Sequence, residues 1–330
     1  MAGSFLESFL QLKKETVWGT PVGANVRVPV LSWDVQPSYD SHDSGMITGA
    51  AGQAAPLWGV KRVAGKATFE GGYGGQDQMW YGALGGVTAV SGAADPWVVR
   101  FTPSATIPSF TAEVGYGDIP TGKVFVFSGL KVNTLDFSWD ASSGLSNMSV
   151  DLIGENEEST TTTGTTTTAA TTTVTHEPIQ VMSQVTTHNV GFGAYSAYCV
   201  RSGNIKVERF LSANRICVGS TTVKEPVPTQ PMKVSGTFNV EFTDRVAYEA
   251  FVAHTVETVT QFKWTGTAAN VHYIDIVMPK VVYTSALPPI QSGDVLVAPI
   301  NWIAYGSAGS GATSEPINVT VATPVVSTAL

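Results

Sequence analysis

Charged side chains are scarce in this chain, at 13% of 330 residues, about half the usual share of about 25%. A free monomer so short of charge lacks solubilising groups, and burial against other subunits is one remedy. A neutral Thr- and Ser-rich surface is the other. The few charges sum to −8. That balance argues against a surface that grips nucleic acid, which needs clustered Lys and Arg to displace counterions. Cysteine is nearly absent. Cys199 and Cys217 make neither a disulfide framework nor a zinc site, and two small buried side chains are the simpler reading. No run of about 18 apolar residues offers a spanning helix. The N-terminus lacks the layout of a secretion signal, since Lys13 and Lys14 follow the apolar Phe5, Leu6, Phe9 and Leu10 rather than precede them. Synthesis in a cytoplasm is expected.

Catalytic and metal patterns are missing too. His42, His176, His188, His254 and His272 have no partner at metal spacing. No nucleophile-elbow sequence occurs. The segment Gly117 to Lys123 imitates a phosphate loop, but Val124 follows where Ser or Thr is needed, and a strand follows where a helix is needed. A turn between strands is expected there. Asn147-Met148-Ser149 and Asn318-Val319-Thr320 fit the glycosylation pattern but fall in expected strands. No enzyme, cofactor or metal is expected. The eight Trp residues are scattered, which favours packing over a sugar-binding cluster. A glycan-binding or adhesin-type β-sandwich is the alternative.

What the chain does have is a repeat. Val63, Gly65, Glu70 and Trp80 recur as Val234, Gly236, Glu241 and Phe251, each offset by 171. Leu130-Lys131-Val132 with Gly144 recurs as Pro279-Lys280-Val281 with Gly293, each offset by 149. Two blocks in the same order suggest one unit duplicated and fused. The offsets differ by 22, which puts an insertion of that length in the first copy, around 86–123. Gly65, Glu70 and Trp80, with Gly236, Glu241 and Phe251, are expected to be duplicated structural positions rather than a carboxylate pair on one substrate.

Alternation and turn chemistry place the elements. Residues 2–13 read as a short amphipathic helix or an ordered arm. Strands are expected at 27–35, 61–72, 96–102, 108–114, 123–139 and 145–153, with a helix at 74–84. The stretch 36–60 is an excursion too long for a hairpin turn. The nearly all-Thr run 159–175 cannot build a core and reads as an extended linker. The domains expected are 1–158, a linker at 159–176, and 177–330. In the second, strands are expected at 196–209, 232–242, 260–264, 271–284, 294–305 and 316–322. A helix is expected at 244–257, capped by Asp244, and a Pro-rich excursion near 211–231. The fold class is mainly β, with two tandem sandwiches or barrels, each flanked by one helix.

Three segments then carry a resemblance. Glu15-Thr16-Val17-Trp18-Gly19-Thr20, the Gly65–Glu70 strand before Trp80, and Pro108 to Glu113 followed by Phe127 to Asn133 resemble, in their order, the major tail tube proteins of long-tailed, siphovirus-like bacteriophages. The resemblance implies a virion structural protein of stacked rings around a DNA-conducting lumen. Six tube domains make a ring, so two per chain imply a trimer with pseudo-sixfold symmetry. A hexamer with the second half outside is the other arrangement. Implied partners are the chain itself, a tape measure protein, tail terminator and tip proteins, and double-stranded DNA in transient passage. The excursion at 36–60 becomes the ring-stacking loop, with Tyr39, Asp40, His42, Asp43, Met46 and Trp58 as its candidates. The excursion near 211–231 would serve the second copy.

Overall fold

The computed structural model describes residues 8–43, 56–91, 95–116, 124–159, 172–173, 177–181, 184–189, 199–257, 260–266, 271–287, 295–306 and 315–324. The first half contains β1 (Phe9–Lys14), β2 (Val26–Val28), β3 (Ser32–His42), β4 (Leu57–Glu70), α1 (Asp77–Leu84), β5 (Gly85–Ser91) and β6 (Trp97–Pro103). It continues with β7 (Phe110–Gly115), β8 (Val124–Asp140), β9 (Ser146–Gly154) and β10 (Asn156–Ser159). A short β11 (Thr172–Thr173) lies in the Thr run. The second half contains β12 (Val185–Asn189), β13 (Val200–Glu208), β14 (Lys233–Glu241), α2 (Val246–Val252), β15 (Val256–Glu257) and β16 (Thr260–Thr265). Then come β17 (Tyr273–Met278), β18 (Val281–Ser285), β19 (Val297–Ala304) and β20 (Asn318–Thr323). The turn expected at 117–123, Gly293 of the repeat and most of the Thr run lie outside the described residues.

One antiparallel run passes through both halves in the order β3-β4-β9-β8-β13-β14-β19-β18. Its first four strands and its last four have the same internal order. The other layer behaves alike: β1-β7-β8-β10 in the first half matches β12-β16-β17-β20 in the second. Strand β8 serves both layers of the first half. Its early residues pair with β7 and β10, its later ones with β9 and β13. Gly129 turns it between them at φ +69, where an added Cβ would lie 2.9 Å from Glu155. In the second half the same job is split between β17 and β18 by Pro279, which cannot continue a ladder.

Smaller features repeat as well. A bulge follows Val132 in β8 and Tyr283 in β18, at matching places on β9 and β19. An added Cβ on Gly65 would fall 1.9 Å from the Asp34 carbonyl oxygen, and one on Gly236 would fall 2.0 Å from that of Asn204. Both glycines are there because a neighbouring backbone passes too close for any side chain. The insertion of the first half is the β5–β6 hairpin, which adds to β20 of the second.

The mainly β architecture with one helix in each half agrees with the sequence. The halves share both layers through β8–β13 and β6–β20, and one hydrophobic cluster holds Trp80, Phe137, Trp139, Phe238, Trp264 and Trp302 together. Several element placements correct the sequence reading. Residues 9–14 form a strand, not a helix, because β1 has an edge of β7 to pair with. The described ends of the excursion 36–60 are strand: β3 and β4 pair as far as His42 and Leu57. Thr172 and Thr173 of the expected linker pair with β2. Helix α2 stops at Val252, and His254 adopts φ +52. Its cap is Arg245, while Asp244 accepts a bond from the Val246 N–H at 3.0 Å.

The helices differ in setting. All eight residues of α1 are buried, with Trp80 against Phe137 at 5.9 Å. In α2 only Ala247 is buried, and Val252 is 55% exposed. The first helix packs on β8, the strand at the join between halves, whereas the second lies beside β18 at the far end of the run.

Candidate functional site

The Glu15 motif builds a knot rather than a site of chemistry. The Glu15 carboxylate is buried and accepts four hydrogen bonds: from Ser109 Oγ (2.7 Å), Gly129 N (2.8 Å), Thr111 Oγ1 (2.9 Å) and Gly19 N (3.0 Å). Trp18 Nε1 donates to the Gly129 carbonyl at 3.1 Å. Gly19 has φ +72, which only glycine adopts freely. Glu113, also buried, accepts from the Ala24 N–H at 2.9 Å. These contacts tie the segment after β1 to β7 and to the bend of β8.

The β3–β4 hairpin carries most of the stacking-loop candidates. Tyr39 and Trp58 are 52% and 71% exposed and meet edge to face, 6.2 Å apart. Asp40 accepts from Arg62 Nη1 at 2.7 Å on the opposite strand. His42 and Asp43 are exposed at the end of β3. Met46 lies outside the described residues. Four more candidates occupy matching strand positions: Gly65 and Gly236, and the strand-end residues Glu70 and Glu241. Glu241 pairs with Arg201 at 2.9 Å. Trp80 is buried in α1, whereas Phe251 of α2 is half-buried.

The excursion near 211–231 lies against the first half. Lys61 N donates to the Thr221 carbonyl at 2.9 Å, and Lys131 Nζ meets Glu225 Oε1 at 2.6 Å. It exposes Ile216 and Val218. Cys199 and Cys217 are free and exposed, so their expected burial is corrected. They sit at strand and loop ends, where no core reaches them.

Along the eight-strand run, core residues alternate with a polar face. Ser32 and Thr68 hydroxyls share a bond of 2.5 Å, Thr237 Oγ1 donates to Asn301 Oδ1 at 2.6 Å, and Asn239 Nδ2 donates to Ser202 Oγ at 2.8 Å. Across the join of the halves, Asn204 Nδ2 lies 3.4 Å from both oxygens of Asp136. Burial raises the Asp136 pKa, against the lowering effects of Asn204, Lys206 and Lys66. The face is thus a lattice of short neutral groups with opposite charges interspersed, none aligned for proton transfer. Among the described residues no cluster of His, Cys, Asp and Glu could hold a metal. No helix there is long and apolar enough to cross a membrane.

The two ends of the run are open. Among the described residues β3 pairs with β4 alone. Beyond its contact with β15 at Val281 and Val282, β18 pairs only with β19 there. Most of β3 is exposed outright, whereas no residue is in β13, its counterpart inside the chain. Unpaired edges of this length invite another chain.

A family model described as phage tail tube protein matches residues 6–304. The chain belongs to the phage tail tube family. No curated protein matches it. The role of this tail tube protein is structural, as a component of the virion tail.

The sequence did not single out the Glu15 carboxylate as a hydrogen-bond hub. An acidic residue shortly before an aromatic-Gly pair was the available signal. Also missed was the cluster around His272, whose Nδ1 and Nε2 lie 2.6 and 2.8 Å from Glu177 and Asp95. Those three residues are far apart in the chain, so spacing could not reveal them.

Proposed function

We propose that three copies of the chain close head to tail into a ring, that rings stack into a tube, and that the tube conducts phage DNA. The observation that carries this reading is the β8–β13 join. It unites two four-strand units of the same order inside one chain, and leaves at the ends β3 and β18, the counterparts of the two strands already joined. Repeating that join between copies and closing it satisfies every edge of the run. Three chains then supply a wall of about 24 strands. The polar face becomes the lumen. Short neutral Ser, Thr and Asn groups offer phosphate no concentrated positive charge, and net acidity keeps DNA from sticking.

The β3–β4 hairpin is the proposed contact between rings, presenting Tyr39, Trp58 and the exposed Leu57. Tape measure, terminator and tip proteins are the partners that such a tube requires. Deleting residues 40–56 tests the stacking role. The deletion variant folds and forms single rings but no tubes in negative-stain micrographs. Normal tubes from it would remove the stacking assignment. A glycan-binding reading requires clustered exposed Trp. Trp80, Trp264 and Trp302 are at most 1% exposed, and Trp58 has only Tyr39 as an aromatic neighbour among the described residues.

A further inference from the structure

The two copies differ where their equivalent strand pairs end. Val35 lies opposite Gly65 and Ile205 opposite Gly236, so β13 runs 170 ahead of β3, and β14 runs 171 ahead of β4. The last residue of β13, Glu208, then corresponds to Ser38, and the first of β14, Lys233, to Arg62. The second-half pair stops there. In the first half β3 continues to His42 and β4 starts at Leu57, which carries the hairpin about 13–17 Å further.

A projection of that length needs support on its other side. Strand β9 covers β4 only from Glu70 to Val63, because the chain turns at Glu155 into β10. Past Val63 the β13–β14 connection of the second half takes over the backbone of β4. The Lys61 N–H donates to the Thr221 carbonyl at 2.9 Å, and Thr222 bridges Lys61 in parallel. Thr222 Oγ1 also donates to Glu155 Oε1 at 3.3 Å, at the turn where β9 ends. Two further anchors tie the connection to β8. Arg209 N and Leu211 N donate to the backbone carbonyl and Oδ1 of Asn133, at 2.8 and 2.9 Å. Lys131 is buried and pairs with Glu225 at 2.6 Å. Breaking such a pair strands a buried charge, so the contact holds the connection in one place. Its neck is closed by Ser212 N donating to Val227 O at 2.9 Å. Lys61 passes this support to the hairpin's exposed aromatic pair. It lies opposite Tyr39, and its Nζ sits 5.9 Å from the centre of that ring while bonding Glu157 of β10.

We propose that the β13–β14 connection is a brace, in which residues 221–225 of the second half fix the angle at which the β3–β4 hairpin of the first half leaves the sheet. The second copy then supports the contact between rings instead of projecting a hairpin of its own. The assignment rests on the stacking reading and adds the residues that hold the stacking element. Thr221, Thr222 and Glu225 are positioning residues, acting through Lys61 and Lys131.

The test reads the spread of hairpin positions. Spin labels on Ser41→Cys and Asn147→Cys, in a full-length chain carrying Cys199→Ser and Cys217→Ser, report the distance from the hairpin to the far end of β9 in dilute monomer. One variant replaces residues 213–226 by Gly-Gly, which keeps the neck, and carries Lys131→Met so that no buried cation is stranded. Its distance distribution is at least twofold broader than that of the intact chain. Its tube yield in micrographs falls at least tenfold while rings still form. The second variant, Glu225→Lys, leaves the loop whole, sets like charges together at Lys131 and broadens the distribution in the same way. Glu225 is half exposed, so this variant folds even where the truncation does not. An unchanged width in either folded variant overturns the brace. A broadened distribution with normal tubes leaves the brace standing and overturns the hairpin as the contact between rings.

Discussion

Replacing Glu15 by glutamine destabilises the unassembled chain by about 2 kcal/mol, and replacing it by alanine by about 3–4 kcal/mol. Each carboxylate oxygen accepts two hydrogen bonds. Glutamine keeps one such oxygen, so the bonds from Thr111 Oγ1 and Gly129 N survive. Its amide nitrogen then faces Ser109 Oγ, which can rotate to accept, and the Gly19 N–H, which cannot. One buried donor is stranded, and the charge that strengthened the other bonds is gone. Alanine strands both backbone donors and leaves a small void in addition. The assay is urea denaturation of dilute monomer followed by Trp fluorescence. The midpoint falls in the order wild type, glutamine, alanine, with little change in slope. A glutamine variant with the wild-type midpoint would refute the idea that this carboxylate is the hub of the N-terminal segment.

Other parts of the fold make separate predictions. Gly236→Ala costs about 3 kcal/mol or more, because its Cβ meets the Asn204 backbone and the Trp302 ring rather than a flexible side-chain end, and Gly65→Ala behaves alike. An unchanged melting temperature in either variant would contradict this. His272 is buried, which lowers its pKa, but hydrogen bonds to Asp95 and Glu177 outweigh burial and raise it overall. Both ring nitrogens face carboxylates, so the protonated ring can donate to both. Its contribution is therefore fully present below the ordinary value of about 6.5 and is lost as pH rises through the raised folded-state value. His272→Gln removes that part of the pH dependence above about pH 6.5 in melting experiments, and an unchanged profile would sink the assignment. Tyr39→Ala and Trp58→Ala change monomer stability by less than about 0.5 kcal/mol, since both side chains are exposed. Together they reduce tube length in micrographs, and a large loss of monomer stability would show that the pair supports the fold instead.

The strands were legible because one face of each is core. Val63, Ala67 and Phe69 in β4 and Val234, Phe238 and Val240 in β14 are buried at alternating positions, and both strands were placed within a few residues. The excursion at 36–60 misled for the opposite reason. Ser, Asp and Tyr on β3 have little core to face, so the pairing with β4 left no hydrophobic alternation to read. Strand β6 was legible at 96–102, but β5 was visible only as part of the difference between the two repeat offsets, and the pairing of β6 with β20 joins segments too far apart in the chain to be read from it. Strand β1 looked helical in outline since Phe9, Leu10 and Leu12 fit either period over so short a stretch. The repeat was the most informative signal for the candidate site. It indicated which strands correspond, yet only the register across β8 and β13 shows how the two halves join.

The mass of a single ring tests the central claim most directly. Mass photometry or native mass spectrometry of rings that cannot stack should give three times the chain's 34.7 kDa, and class averages should show six lobes with threefold symmetry. A ring of six chains, or a monodisperse monomer at every concentration tried, would contradict the account.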